Sequence, residues 1–347
     1  MNRCDRPFTD RRVVGFAQQV SPGWPRGVWA GFAYVWILFP IGAAGLFAFF
    51  VGQLRAEYLA LEAGPSRAAI RPGDELWALS TRCQSAGPSQ QLTPDVWRLA
   101  ADRPSPEWRT SSLPDLLASG PKTWVVYVHG NRTTHADALA GGWDVYVRLV
   151  QPSHAPPLRF LIWSWPSDPM HGLLRDVRVK AARADAEAFL LLKWLEQLPP
   201  GSDVNFIGYS YGTRIICRAV HFWEPPVSGN DSRVTDPYLT LRAALLAPAM
   251  ESDVLATGAP YGDAVLKFTH VLVLYNSCDP VLKHYGWVEN CQKLRAMGYV
   301  GVEGPLARDG IVWEYDAAPH IGRTHHSWYY FADTFLMQMT AKHFFQN

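Results

Sequence analysis

The sequence predicts an α/β protein: a three-layer sandwich with a mostly parallel central sheet, preceded by a single transmembrane helix. Three observations carry this. Short, largely apolar runs at residues 124–128, 160–163, 204–207, 241–246 and 271–275 alternate with helical stretches, as in a parallel sheet covered on both faces. Between the run at 204–207 and the helical stretch from Thr213 lies Gly208-Tyr209-Ser210-Tyr211-Gly212, where glycines two before and two after a serine suit a tight strand-to-helix turn. Residues 28–51 contain no charged residue, and at about 1.5 Å per helical residue they reach about 36 Å, enough to cross a hydrocarbon core of about 30 Å.

Taken in order, residues 1–27 form an arginine-bearing polar tail, 28–51 the membrane span, 52–73 a linker with turn residues at Gly64-Pro65-Ser66 and Pro72-Gly73, and 74–347 a globular domain. Trp29, Tyr34 and Trp36 lie toward one end of the span, as an interfacial belt requires. The run exceeds the apolar core of a cleaved signal peptide, so an uncleaved single-pass anchor is expected. Lys and Arg near its two ends balance, and the five tail arginines tilt the reading toward a non-cytoplasmic domain. Within the domain, strands are expected at 76–79, 96–99 and 311–315 besides those above, with helices at 143–149, 173–198, 213–223, 261–268 and 327–345. Residues 224–237 are rich in loop formers.

Composition excludes several classes. With 32 Lys and Arg against 31 Asp and Glu, no field draws in nucleic acid. The five cysteines and the histidines show no zinc spacing, so neither a metal nor an organic cofactor is implied. A disulfide between two of Cys83, Cys278 and Cys291 is possible outside a reducing compartment, with free thiols the default. The oligomeric state is left open.

A serine hydroxyl is a poor nucleophile unless a base, usually histidine, takes its proton and a carboxylate orients that base. On an α/β sheet these groups gather outside the carboxyl ends of the strands. Ser210 sits in the turn just described. Asp279 follows the 271–275 strand and is the expected acid, with Glu251 and Asp253 in reserve. At the entry to the last helix stand His325 and His326; His326 is preferred as base, with His325 the alternative. A developing oxyanion needs backbone N–H donors. The N–H of Tyr211 supplies one and that of Asn131, in the His129-Gly130-Asn131 loop after the 124–128 strand, the other; His129 is expected to support the loop.

Over residues 74–347 the chain resembles the α/β-hydrolase superfamily, and within it a bacterial branch of α/β hydrolases of unknown function. The resemblance rests on Tyr127-Val128-His129-Gly130-Asn131, Trp163-Ser164-Trp165-Pro166-Ser167, the serine turn, residues 275–282 around Asp279, and His326-Ser327. It implies the same Ser210, Asp279, His326 assignment. Two departures stand out: tyrosine flanks Ser210 on both sides, which bears on substrate size, and Ala247-Pro248-Ala249-Met250 lacks the acid that this branch often carries after Ala-Pro, which favours Asp279.

The expectation is a membrane-anchored serine hydrolase acting on a small-molecule carboxylic ester. Amide, thioester and peptide cleavage are open to the same triad. Rival readings are a catalytically idle domain tethered as a binding module, and a soluble enzyme whose apolar run is a docking helix.

Overall fold

The computed structural model describes residues 70–100, 107–118, 123–225, 238–288 and 294–345. The expected tail, the membrane span, most of the linker and most of the 224–237 loop lie outside the described residues. Among the described residues no helix is long and apolar enough to cross a membrane.

Among the described residues nine strands form one sheet: β1 (Glu75–Ser80), β2 (Asp95–Ala100), β3 (Glu107–Ser111), β4 (Thr123–Val128), β5 (Arg159–Ser164), β6 (Ser202–Tyr209), β7 (Leu239–Leu246), β8 (His270–Tyr275) and β9 (Val312–Asp316), in the order β3-β2-β1-β5-β4-β6-β7-β8-β9. From β1 across to β9 every pairing is parallel, and β2 alone runs against its neighbours. The central strands are buried along nearly their whole length, which is why they read as largely apolar runs. β3, which pairs only with β2, carries Glu107-Trp108-Arg109-Thr110-Ser111 and has no apolar pattern to announce it.

The helices are α1 (Leu113–Leu117), α2 (His135–Val145, continued as one π-helical turn over Tyr146–Val150), α3 (Leu173–Leu195), α4 (Tyr211–Phe222), α5 (Ala264–Lys267), α6 (Tyr285–Val288), α7 (Met297–Val300), α8 (Ala318–Ile321), α9 (Ser327–Ala332) and α10 (Thr334–Phe345). Long α3 packs along α4, while α2 with its π turn packs with α9 and α10. Three buried tryptophans knit the sheet to α3: Trp194 meets Trp124 edge-on at 5.2 Å and Trp163 at 6.4 Å. The helix expected over 327–345 is two helices. Asp333 closes α9 and its Oδ1 accepts the Leu336 N–H at 2.9 Å, a cap that begins α10 rather than continuing one rod. The helix expected over 261–268 shrinks to α5, preceded by turns.

Cys83 is disulfide-bonded, whereas Cys217 and Cys278 are free thiols. Cys278 is therefore removed from the expected candidates for a bridge. This mixed sheet, flanked by helices and with its longest parallel block running through the serine strand, fits the α/β-hydrolase fold.

Candidate active site

Because the parallel strands share a direction, the turns after β4, β6, β7 and β8 meet at one edge of the sheet. At that edge Ser210 adopts φ +52°, ψ −119°, a conformation that costs a non-glycine residue on the order of 1 kcal/mol or more and persists only where neighbours impose it. The neighbours are identifiable. The Ser210 N–H donates to Leu246 O at 2.9 Å, and the Ser210 carbonyl accepts from Thr213 Oγ1 at 2.6 Å and from Thr213 N at 3.1 Å. The flanking glycines are dictated by approach. A Cβ on Gly208 would come within 2.7 Å of Ile216 Cδ1 and 3.0 Å of the Thr213 backbone, and one on Gly212 would sit 2.0 Å from Val128 O.

The structure brings Ser210, His325 and Asp279 together. Ser210 Oγ lies 3.3 Å from His325 Nε2, and His325 Nδ1 lies 2.6 Å from Asp279 Oδ2. With Nδ1–H donating to the carboxylate, Nε2 is left to accept the serine proton. Asp279 is wholly buried, and its Oδ1 accepts from Val281 N at 2.8 Å and Leu282 N at 2.9 Å, which fixes the carboxylate independently of the histidine. Asn276 ties the acid loop to the base loop: buried, it donates through Nδ2 to Gly322 O and Thr324 O, both at 2.9 Å. Neither reserve acid reaches the base; Glu251 and Asp253 line a separate hollow with Arg214 and Arg218.

Of the two expected histidines, the alternative His325 and not the preferred His326 lies against Ser210. His326 is the N-cap of α9, with φ −83° and ψ 128°, and its Nδ1 accepts the Trp328 N–H at 3.1 Å. An N-cap side chain turns back onto its own helix, so the ring that reaches Ser210 belongs to the residue before it. The signal was present in the sequence: once the helix is started at Ser327, position 326 is taken by capping and 325 is the last loop residue.

The loop after β4 passes directly against the serine, for a Cβ on Gly130 would be 2.8 Å from the Tyr209 ring and 3.1 Å from Ser210 Cβ. Asn131 is the next residue of that loop, and Tyr211 follows Ser210 at the amino end of α4, where backbone N–H groups lack helical partners. His129 does support the loop. Buried, it contacts Gly130 O through Nδ1 at 2.9 Å and accepts the Trp165 N–H at Nε2 at 3.2 Å, while burial and the nearby Arg82 charge hold its ring well below the usual histidine range. The Trp163-Ser164-Trp165-Pro166-Ser167 segment explains itself in the same way: Trp165 Nε1 donates to His129 O at 2.8 Å and Ser167 Oγ to Thr133 O at 2.9 Å.

The two tyrosines face away from one another's tasks. Tyr209 donates its hydroxyl to the His325 carbonyl and stacks obliquely on the His325 ring at 5.5 Å, whereas Tyr211 sends its hydroxyl to Val177 O of α3 at 3.2 Å. Tyr211 thus packs under α3 as a buried residue.

No family model and no curated protein matches the chain. Among solved structures, it is similar to an inhibited esterase B from Lactobacillus rhamnosis, at 12% identity and TM-score 0.36 with 86% of this chain and 93% of that one covered. A thermophilic esterase from Thermogutta terrifontis, bound to propionate, aligns at 12% identity and TM-score 0.31 over 78% of this chain and 92% of its own. A gene product from Listeria innocua aligns at 10% identity and TM-score 0.29 over 63% and 92%.

Proposed function

We propose that this chain is a serine hydrolase that cleaves carboxylic esters, with Ser210 as nucleophile, His325 as general base and acid, and Asp279 as the carboxylate that orients it. The observation that carries the reading is the unbroken line from Ser210 Oγ through His325 to the buried Asp279, at 3.3 and 2.6 Å, on a residue held in a strained turn at the carboxyl edge of a parallel sheet. Ser210 Oγ adds to the ester carbonyl as its proton passes to His325 Nε2. The carbonyl oxygen becomes an oxyanion held by the Tyr211 and Asn131 N–H groups. Collapse expels the alcohol, which takes the proton from His325, and leaves an acyl-serine. Water, deprotonated by His325, then releases the carboxylic acid and restores the serine. Throughout, Asp279 stabilises the imidazolium.

Residues 28–51 are part of the same proposal as a membrane anchor, and the Cys83 disulfide supports a domain on the oxidising, non-cytoplasmic side. A fluorophosphonate probe tests the nucleophile. The intact protein is expected to label and the Ser210→Ala variant is not; a folded wild type that stays unlabelled, or a labelled Ser210→Ala, refutes the assignment. Paired acyl esters, amides and thioesters then rank the leaving groups.

A further inference from the structure

On this hydrolase reading, we propose that Asp176, in the first turn of α3, is a positioning residue that sets the aim of the Asn131 N–H by clamping the loop after β4 from behind. Asp176 is wholly buried and reaches three partners on two loops: Oδ2 accepts from Asn131 Nδ2 at 3.2 Å and Arg132 Nη1 at 3.1 Å, and Oδ1 accepts from Met170 N at 3.0 Å. Two consecutive residues of the loop are therefore held by one carboxylate.

The reason a clamp is required is the backbone at Arg132. Its φ is +58°, in the left-handed region that a long side chain disfavours, so the loop does not hold this shape on its own. The Asn131 amide bridges the problem. Its Oδ1 accepts the Arg132 N–H at 2.8 Å, which pins the turned peptide, while its Nδ2 points to Asp176. Orientation of the amide is fixed by those two contacts together, because swapping oxygen and nitrogen would set donor against donor at Arg132 and acceptor against acceptor at Asp176. Rotation of the peptides at 131 and 132 would carry the Asn131 N–H off the oxyanion.

The carboxylate is buried and faces cations. Arg132 supplies one cation, and Lys180, one turn further along α3 and itself buried, supplies a second charge that acts on Asp176 through space while its Nζ donates to Asp168 O at 2.5 Å. Helix α3 is anchored in turn where Val177 O accepts the Tyr211 hydroxyl at 3.2 Å. The clamp thus links both donors of the oxyanion site to one helix turn.

The test uses Asp176→Asn and, because the first variant leaves the buried Lys180 and the Arg132 guanidinium without their carboxylate, also Asn131→Ala, which keeps the backbone N–H and removes the side chain's bonds to Asp176 and to the Arg132 N–H. Hydrogen exchange followed by peptide mass spectrometry reads the loop directly. Amides of 129–134 are expected to exchange at least about tenfold faster in either folded variant, with α4 and β6 unchanged. Fluorophosphonate labelling and ester kcat are expected to fall about 10- to 100-fold with KM within about twofold, less than or equal to the loss from removing an oxyanion donor outright. Loop protection equal to wild type in a folded variant overturns the clamp. So does a loss that falls on KM alone. If the wild type does not label at all, the hydrolase reading fails by itself, and the exchange arm still decides whether Asp176 holds the loop.

Discussion

His325 and His326 are adjacent in the chain, yet the structure predicts that their removal has effects of different kinds. His325→Ala deletes the group 3.3 Å from Ser210 Oγ and leaves Asp279 as a buried carboxylate still satisfied by Val281 and Leu282. Loss of the base of a serine triad costs roughly 10⁴- to 10⁶-fold in kcat, which corresponds to about 5.5 to 8 kcal/mol of transition-state stabilisation. His326→Ala deletes one N-cap bond, to Trp328 N at 3.1 Å. That costs about 1 kcal/mol of stability, or a fall in Tm of roughly 2–4 °C for a domain of this size. Its effect on the chemistry should stay within about threefold, since the base is held by contacts that the His326 ring does not make: Asn276 to Thr324 O, the Tyr209 hydroxyl to His325 O, and Asp279 to the imidazole. Steady-state hydrolysis of a chromogenic ester and thermal melts on both variants read the two quantities separately. An inactive His326→Ala with normal Tm, or an active His325→Ala, would refute the reasoning.

Two further substitutions probe the scaffold. Glu187 is buried, its Oε1 accepting from Thr81 Oγ1 at 2.5 Å and Trp163 Nε1 at 2.9 Å, and burial pushes its carboxyl up to about 7 from 4.5. A folded-state value raised above the unfolded one means stability present at low pH is lost as pH rises through about 7, so Glu187→Gln should be near neutral at pH 4.5 and more stable than wild type by about 3 kcal/mol at pH 8; a pH-independent difference in chemical denaturation would contradict it. Gly212→Ala places a Cβ 2.0 Å from Val128 O, a backbone atom that cannot swing aside, and should cost more than about 3 kcal/mol or abolish labelling in whatever folds; a wild-type melt with full labelling would show that the turn is looser than its geometry.

Much of the sheet was legible because its strands are buried on both faces and therefore apolar throughout: 124–128 became β4 with one residue added, and 160–163 became β5 with one at each end. What escaped is what burial does not mark. β3 is an edge strand whose one apolar residue is Trp108, and among the described residues its register is set by pairing with β2. The break at Asp333 escaped because the apolar pattern runs through it, and only the side-chain bond to Leu336 N shows that two helices meet there. The sequence ties Tyr211, with Tyr209, to substrate size; its hydroxyl instead finds Val177 O, on a helix 34 positions earlier in the chain, and no local pattern carries a contact of that span.

The site divides along the same line. Ser210 and the two glycines were readable because their requirement is local: a positive φ and two close approaches within five residues. Asp279 was readable from position, since an acid a few residues past a parallel strand lands at the sheet edge where the serine is. The histidine fell between these cases. Both His325 and His326 satisfy the positional rule, and what separates them is a helix boundary: starting α9 at Ser327 gives His326 the extended φ and ψ of a cap and commits its Nδ1 to Trp328, which leaves His325 with its backbone fixed by Tyr209 and its ring between Asp279 and Ser210. The two neighbouring imidazoles are thus told apart by where the helix begins, and His325 is held in place by Tyr209, Asp279 and the Asn276 bond to Thr324 O rather than by the capping bond of His326.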